Sequence, residues 1–240
     1  ANNKDAENKK AWVDRADKII AISKSTKQDL IRIHHINPDK IEVISLGHYE
    51  NENNESDHPG RISASKYILY VGERNHYKNF FRFLKAVSPI LRNNRNLILF
   101  CAGGGAFKSA ELQAISREGL GQNVVQKNVS NAELKNLYRH AELFVFPSLY
   151  EGFGYPLIEA FAQACPVVCS NTSSFGEVAG NAAVFFNPLD ISEMETAIAN
   201  VLNDQIPRDE LRKKGNEQIK LFTIENSIQK TKEAYRQLII

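Results

Sequence analysis

Eight short apolar runs recur along the 240 residues, and they leave little choice of architecture. They are Ile19–Ile22, Ile41–Ile44, Tyr67–Val71, Leu97–Cys101, Val124–Val125, Leu143–Phe146, Val167–Cys169 and Ala182–Phe186. All are rich in Val, Ile, Leu or Phe, and few alternate polar with apolar, which is how strands buried on both faces read. Between them the period changes to that of a helix. Phe80, Phe81, Leu84, Val87, Ile90 and Leu91 share one helical face, as do Leu134, Leu137 and Tyr138, and again Met194, Ala197, Ile198, Val201 and Leu202. Strand alternating with helix predicts an α/β chain: a Rossmann-like parallel sheet with helices on both faces.

One stretch breaks the rhythm. His48–Ser65 is polar and carries Pro59-Gly60, so it reads as a loop or linker and a boundary. Only a helix, a strand, a second helix and a strand precede it, too little for a domain. Residues 1–46 are therefore read as the tail of a preceding domain, 47–221 as the sheet domain, and 222–240 as a closing helix with an apolar stripe of Ile228, Ala234, Tyr235 and Leu238. Trp12, on a mostly polar helix, is expected to pack against the preceding domain or that closing helix.

Composition narrows the function. Hydrophobic residues make up 42% and charged residues 24%, enough for a core, and a net charge of +2 gives no case for nucleic acid. No segment approaches the apolar length of a membrane span, and the polar start ANNKDAENKK has no signal-peptide centre. Cys101, Cys165 and Cys169 lie in apolar surroundings without further ligands nearby, and read as reduced core residues of a cytoplasmic protein. The six histidines show no metal-ligand spacing, so no metal site is expected.

In open α/β sheets, ligands bind beyond the carboxyl ends of the strands. Gly72-Glu73-Arg74-Asn75-His76-Tyr77-Lys78-Asn79 follows the third run, Ala102-Gly103-Gly104-Gly105 the fourth, and Ser170 to Ser174 the seventh. The sixth is followed by Pro147-Ser148-Leu149-Tyr150-Glu151-Gly152-Phe153-Gly154-Tyr155-Pro156. Two glycine-rich loops, one with cations and one with an acid would converge on one sheet edge, a constellation suited to phosphate and sugar. The helix that starts near Pro156 offers free amides and a positive dipole end, with Glu159 expected in its first turn. Gly103–Gly105 reads either as a tight turn near a nucleotide or as a bare turn.

EGFGYPLIEAFAQACPVV resembles the signature of retaining glycosyltransferases with the GT-B fold, the group 1 transferases, which carry two glutamates separated by seven residues around Gly-Phe-Gly and Pro. ADKIIAISKSTKQDL, YILYVGERNHYKN, ELFVFPSLYEGFG and SFGEVAGNAAVFFNPLD resemble further parts of that family in the same order, so the likeness covers nearly the whole chain. It implies the carboxy-terminal, donor-binding half of a GT-B fold. Lys78, with Arg74 beside it, would meet the donor diphosphate. The backbone of Gly152, Phe153 and Gly154, with Tyr155 next to it, would hold the sugar and distal phosphate. Glu151 would accept sugar hydroxyls and Glu159 the ribose hydroxyls. Val129, within Asn128–Ser130, and Gly104 would lie near the base.

The implied reaction is retaining transfer of a hexose from a UDP- or GDP-linked donor to a glycan or lipid-linked acceptor hydroxyl, in surface polysaccharide synthesis. It needs no cofactor, and no Asp-x-Asp metal motif occurs. The acceptor would bind the preceding domain, with the full-length enzyme cytoplasmic and peripheral at the inner membrane face. This chain alone is expected to bind nucleotide without transferring sugar. The competing readings are a sugar-nucleotide epimerase or phosphorylase on the same fold, and a donor-binding module without catalysis. Two positions depart from the family pattern: Glu73 stands where Arg usually follows the first loop's glycine, and Ala164 stands where Gly is usual, a packing position where little consequence is expected.

Overall fold

A computed structural model describes residues 10–49 and 66–238. The chain divides into two compact units, 1–49 with 222–240, and 50–221. Most of the linker stretch read between 48 and 65 lies outside the described residues.

The larger unit is built on six parallel strands: β3 (Lys66–Val71), β4 (Leu97–Ala102), β5 (Val124–Lys127), β6 (Leu143–Phe146), β7 (Val167–Ser170) and β8 (Ala183–Phe186), in the order β5-β4-β3-β6-β7-β8. Six of the eight apolar runs of the sequence are these strands, because both faces of the sheet are covered. Ile68 and Tyr70 of β3, with Leu143 and Val145 of β6, join Phe80, Phe83, Leu84 and Val87 of helix α2 (Phe80–Asn93) and Met194 and Ile198 of α7 (Ile191–Asn203). On the opposite face Phe144 meets Tyr138 of α4 (Asn131–His140) edge-on at 5.2 Å, and Phe146 meets Phe175 of α6 (Phe175–Ala179) at 5.0 Å. Aromatic pairs at these separations add to the burial of their area. The remaining helices are α3 (Ser109–Arg117), α5 (Tyr155–Ala162) and α8 (Gln205–Gln218). Cys101, Cys165 and Cys169 are free and buried, and burial pushes the Cys101 thiol up to about 12.

The smaller unit holds a two-stranded parallel sheet of β1 (Ile19–Ala21) and β2 (Ile41–Val43), helix α1 (Lys24–His34), a helical turn over 10–15, and α9 (Ile224–Arg236). Residues 47–49 and the closing helix, set apart in the sequence reading, group here with 10–46: the His48 amide donates to Phe222 O at 2.6 Å, and His48 bridges Thr223. Of the closing helix's stripe only Ala234 is buried, and Trp12, expected to be packed, is 76% exposed.

Ala164 overturns one expectation. It closes α5 with φ +49°, its amide bonding Phe161 O at 3.0 Å while the Cys165 amide bonds Ala160 O at 2.9 Å. These are the paired bonds of a left-handed helix terminus that favours glycine, so the position is a backbone constraint rather than a packing one. Left-handed backbone costs an L-residue about 1–2 kcal/mol, partly offset by glycine's greater unfolded entropy. Ala164→Gly is therefore expected to raise stability by roughly 0.5–1 kcal/mol, read as the shift in denaturant midpoint; a lower midpoint would contradict this.

Candidate functional site

The chain runs outward from β3 in both directions, through β4 and β5 on one side and β6, β7 and β8 on the other. A crevice therefore opens between the loops that follow β3 and β6, the place where such sheets bind ligands. These two loops are tied together. The Leu149 amide donates to Tyr77 O at 2.7 Å, and Asn79 Nδ2, itself buried, donates to Pro147 O at 3.1 Å and Pro188 O at 2.8 Å.

Across this crevice Lys78 meets Glu151. Lys78 ends a 3-10 turn, His76–Lys78, and its Nζ lies 2.8 Å from Glu151 Oε1, with the two side chains 13% and 15% exposed. The ammonium also stands 5.1 Å from the Phe146 ring centroid and 5.4 Å from that of Tyr77. Two residues selected separately in the sequence thus form one partly desolvated ion pair, held against aromatic faces that favour the cation.

The loop after β7 fixes the backbone on the Glu151 side. Ser173 Oγ accepts from the Glu151 amide at 3.0 Å, and Ser174 Oγ donates to the carbonyls of Glu151 and Phe153, both at 2.9 Å. Phe153 is buried, and its carbonyl is held by the Ser174 bond. Gly154 caps α5 at φ +92°, a conformation an L side chain rarely adopts, and Tyr155 and Pro156 open the helix. The amides at that end and the helix dipole favour an anion.

Glu159 is the fifth residue of α5, a full turn beyond the first amides, and not in the first turn as the sequence suggested. Its place is set by α4: the Tyr138 hydroxyl donates to Glu159 Oε2 at 3.2 Å. Burial raises the Glu159 carboxyl above its ordinary range, and the Tyr138 bond opposes that shift. Tyr155, on the first turn, has its hydroxyl raised by burial and then by the Glu159 charge.

Arg74 is placed differently from the expectation that it stands beside Lys78 toward a diphosphate. Its side chain is 1% exposed and its Nε donates to Glu111 Oε1 at 3.1 Å. Nη1 donates to Gly103 O at 3.0 Å, and Nη2 to the carbonyls of Gly104, Gly105 and Ala106 at 3.2, 2.7 and 3.3 Å. The guanidinium lies 4.8 Å from the Phe107 ring centroid. Its donors are turned into the glycine loop, so here it is a clamp on Gly103–Ala106. Glu111 completes the clamp by accepting from the Lys108 amide at 2.7 Å. Gly104 is the pivot: a Cβ there would stand 2.7 Å from both Gly72 O and Arg74 Nη1, so only glycine lets the two loops approach.

On the outer side of that loop the Gly105 amide donates to Asn128 Oδ1 at 3.3 Å, and Gln126 Nε2 donates to Gly103 O at 3.2 Å. Val129, half-buried, follows Asn128 between β5 and α4. Sequence reasoning gave no role to Tyr138, Asn79, Glu111 or the serines at 173 and 174. Asn79 and the serines carried a signal, since they lie in loops that follow strands at the sheet edge already singled out.

Among the described residues no group of three or more His, Cys, Asp or Glu is disposed to hold a metal ion, and no helix is long and apolar enough to cross a membrane. A cavity of about 370 Å³ lies at the opposite, amino-terminal edge of the sheet, lined by Lys66, Leu97, Glu142 and Glu195 among others. It contains none of the residues above.

Residues 51–218 match the model of the family described as glycosyl transferases group 1. The chain is 32% identical over 198 residues to the O-antigen chain mannosyltransferase RfbU of Salmonella typhimurium, covering 82% of this chain and 54% of that protein. It is 29% identical over 242 residues to O-antigen chain mannosyltransferase B of Escherichia coli, covering 94% and 62%. Among solved structures, Staphylococcus aureus TarM in a complex that includes UDP superposes with a TM-score of 0.81 at 17% identity, over 97% of this chain and 46% of that one. Anabaena Alr3699/HepE in complex with UDP and glucose gives 0.80 at 17%, over 92% and 64%. The chain thus shares the fold of these structures, and it spans between half and two thirds of the length of the two mannosyltransferases.

Proposed function

The chain belongs to the group 1 glycosyl transferases, and on that basis we propose that it is the donor-binding part of an enzyme that transfers a hexose, foremost mannose, from a nucleoside diphosphate sugar to a glycan or lipid-linked acceptor. The observation that carries this reading is the Lys78–Glu151 pair at the switch point of the sheet, next to the amino-terminal end of α5. The mannosyltransferases among its relatives support the sugar, and the UDP complexes of its structural neighbours support the nucleotide sugar.

The pair explains how one site serves both halves of a donor. Without ligand, Lys78 and Glu151 neutralise each other in a poorly solvated crevice, where leaving either charge unpartnered is costly. A diphosphate entering beside α5 offers Lys78 a stronger anion. Glu151 is then free to accept hydrogen bonds from sugar hydroxyls, which replace the ammonium as its donors. As the bond from the anomeric carbon to the diphosphate lengthens, negative charge grows on the leaving oxygen, and Lys78 and the α5 amides already face it. Protonation of that oxygen by a side chain is not required. Transfer with retention is part of this proposal and follows the family pattern of the two glutamates.

Glu151→Gln tests the exchange of partners. The variant removes the anion that competes for Lys78 and keeps a side chain that can still bond hydroxyls. Expected is nucleoside diphosphate affinity equal to or tighter than that of the parent, together with a large loss of sugar transfer. Calorimetry with UDP and GDP, run beside a transfer assay with the labelled nucleotide sugar, reads both. Weaker diphosphate binding in the variant would contradict the partner exchange.

A further inference from the structure

We propose that Tyr138 is a positioning residue for nucleotide recognition: from α4 its hydroxyl orients the Glu159 carboxylate toward the ribose hydroxyls it accepts. This rests on the reading of Glu159 as the ribose acceptor.

The geometry sets Tyr138 apart from an ordinary core tyrosine. It is 1% exposed, and its ring packs edge-on against Phe144 at 5.2 Å, which fixes the direction of the hydroxyl. That hydroxyl lies 3.2 Å from Glu159 Oε2. A buried phenol needs a partner, and a partly buried carboxylate needs a donor, so each satisfies the other across the α4–α5 packing. One carboxylate oxygen is thereby occupied on the protein side. The remaining acceptor capacity of the group, about three of its four lone-pair sites, two on Oε1 and one on Oε2, is left for a diol.

Protonation is the weak point of such an acceptor, because burial raises the Glu159 carboxyl and a protonated carboxyl is a poorer acceptor for two hydroxyls. Two titratable groups face it. Tyr138 comes from α4 and Tyr155 from its own helix, and the hydroxyls of both are raised by burial and by the Glu159 charge. The other charged groups nearby act elsewhere: Arg139 of α4 donates to Gln163, and Arg212 of α8 acts on Cys165. Burial and the Tyr138 hydroxyl are the two causes of the shift at Glu159, and Tyr138 is the one that lowers it. Donation to the ionised carboxylate therefore extends the pH range in which Glu159 binds toward lower pH.

The test is Tyr138→Phe in the full chain, which deletes one oxygen and keeps the ring packing. Affinity for GDP-mannose, with UDP-glucose in parallel, is measured by calorimetry across the carboxylate pH range. These probes are esterified at both ends of the diphosphate, so their phosphates do not titrate there. Expected is an affinity about tenfold weaker at neutral pH, the lower end of the effect of losing a hydrogen bond to a charged group. The pH midpoint for loss of binding is expected to move up, while inorganic pyrophosphate binds as it does to the parent. Glu159→Gln is expected to weaken binding and to remove the pH dependence, and adding Tyr138→Phe to it should change nothing further. Unchanged affinity and midpoint in Tyr138→Phe, with Glu159→Gln impaired, would overturn the role of Tyr138 and leave Glu159 standing. Equal loss of pyrophosphate affinity, or a further loss in the double variant, would overturn it in favour of a purely structural part. If Glu159→Gln binds both nucleotide sugars like the parent, the ribose reading fails and this inference fails with it.

Discussion

Lys78→Ala lowers sugar transfer on the order of 100-fold or more, the effect of removing one preorganised group from a developing charge. The argument begins with position: Lys78 ends the loop after the central strand β3, faces the loop after β6, and is held by Glu151 at 2.8 Å against the Phe146 ring. A cation so placed cannot be replaced by a neighbour, because Arg74 of the same loop is committed to Glu111 and four backbone carbonyls. The alanine variant also leaves Glu151 without its ammonium partner in the crevice, so affinity for a diphosphate falls while affinity for the bare nucleoside is unchanged. Single-turnover rates with a labelled nucleotide sugar, on protein of the length at which transfer is measurable, check the first part. Near-parental rates would remove Lys78 from the mechanism.

The second large effect is on stability. Arg74→Met is expected to destabilise the larger unit by about 3–5 kcal/mol, because it strands Glu111 as an unpaired buried carboxylate. The side chains of Arg74 and Glu111 are 1% and 5% exposed, so water cannot take over the lost bonds. Four carbonyls of the glycine loop lose the guanidinium at the same time, Gly103 O alone among them keeping a second donor in Gln126, and with Gly104 packed on Gly72 the disturbance reaches the loop that carries Lys78. For a unit of this size the loss corresponds to roughly 6–20 °C in Tm. The paired change Arg74→Met with Glu111→Leu removes both charges and is expected to recover most of the stability. A single variant with parental stability would show that the clamp carries no weight.

The contrast between Lys78 and Arg74 shows where the sequence is legible. Short buried strands and helix periods are local signals, and β3 to β8 follow from them. The convergence of loops after strands is a consequence of a parallel sheet, so Lys78, Glu151 and Gly154 could be placed together before any coordinates. Whether a cation in such a loop points at the crevice or back into the protein depends on a partner distant in the chain. Arg74 finds Glu111 thirty-seven residues on, and Glu111 stands in the first turn of α3, where an acid reads as an ordinary helix cap. Tyr138 was visible only as a core position, since its hydroxyl meets Glu159 through helix packing. Helix α8 was missed for a related reason: it is polar along most of its length, with Pro207 in its first turn, and buries only Arg208, Leu211 and Gly215. Ala164 looked like packing because its left-handed φ, +49°, is a property of the helix end and not of the residue.

The central claim is that the crevice between the β3 and β6 loops binds the diphosphate of a nucleotide. Calorimetric titration of the 240-residue chain with UDP, GDP and ADP tests it most directly. The account predicts binding of at least one of them in the micromolar-to-millimolar range, one per chain, weakened by Lys78→Ala and by Glu159→Gln in protein that remains folded. Folded protein that binds none of the three, or binds them equally well in both variants, would contradict it.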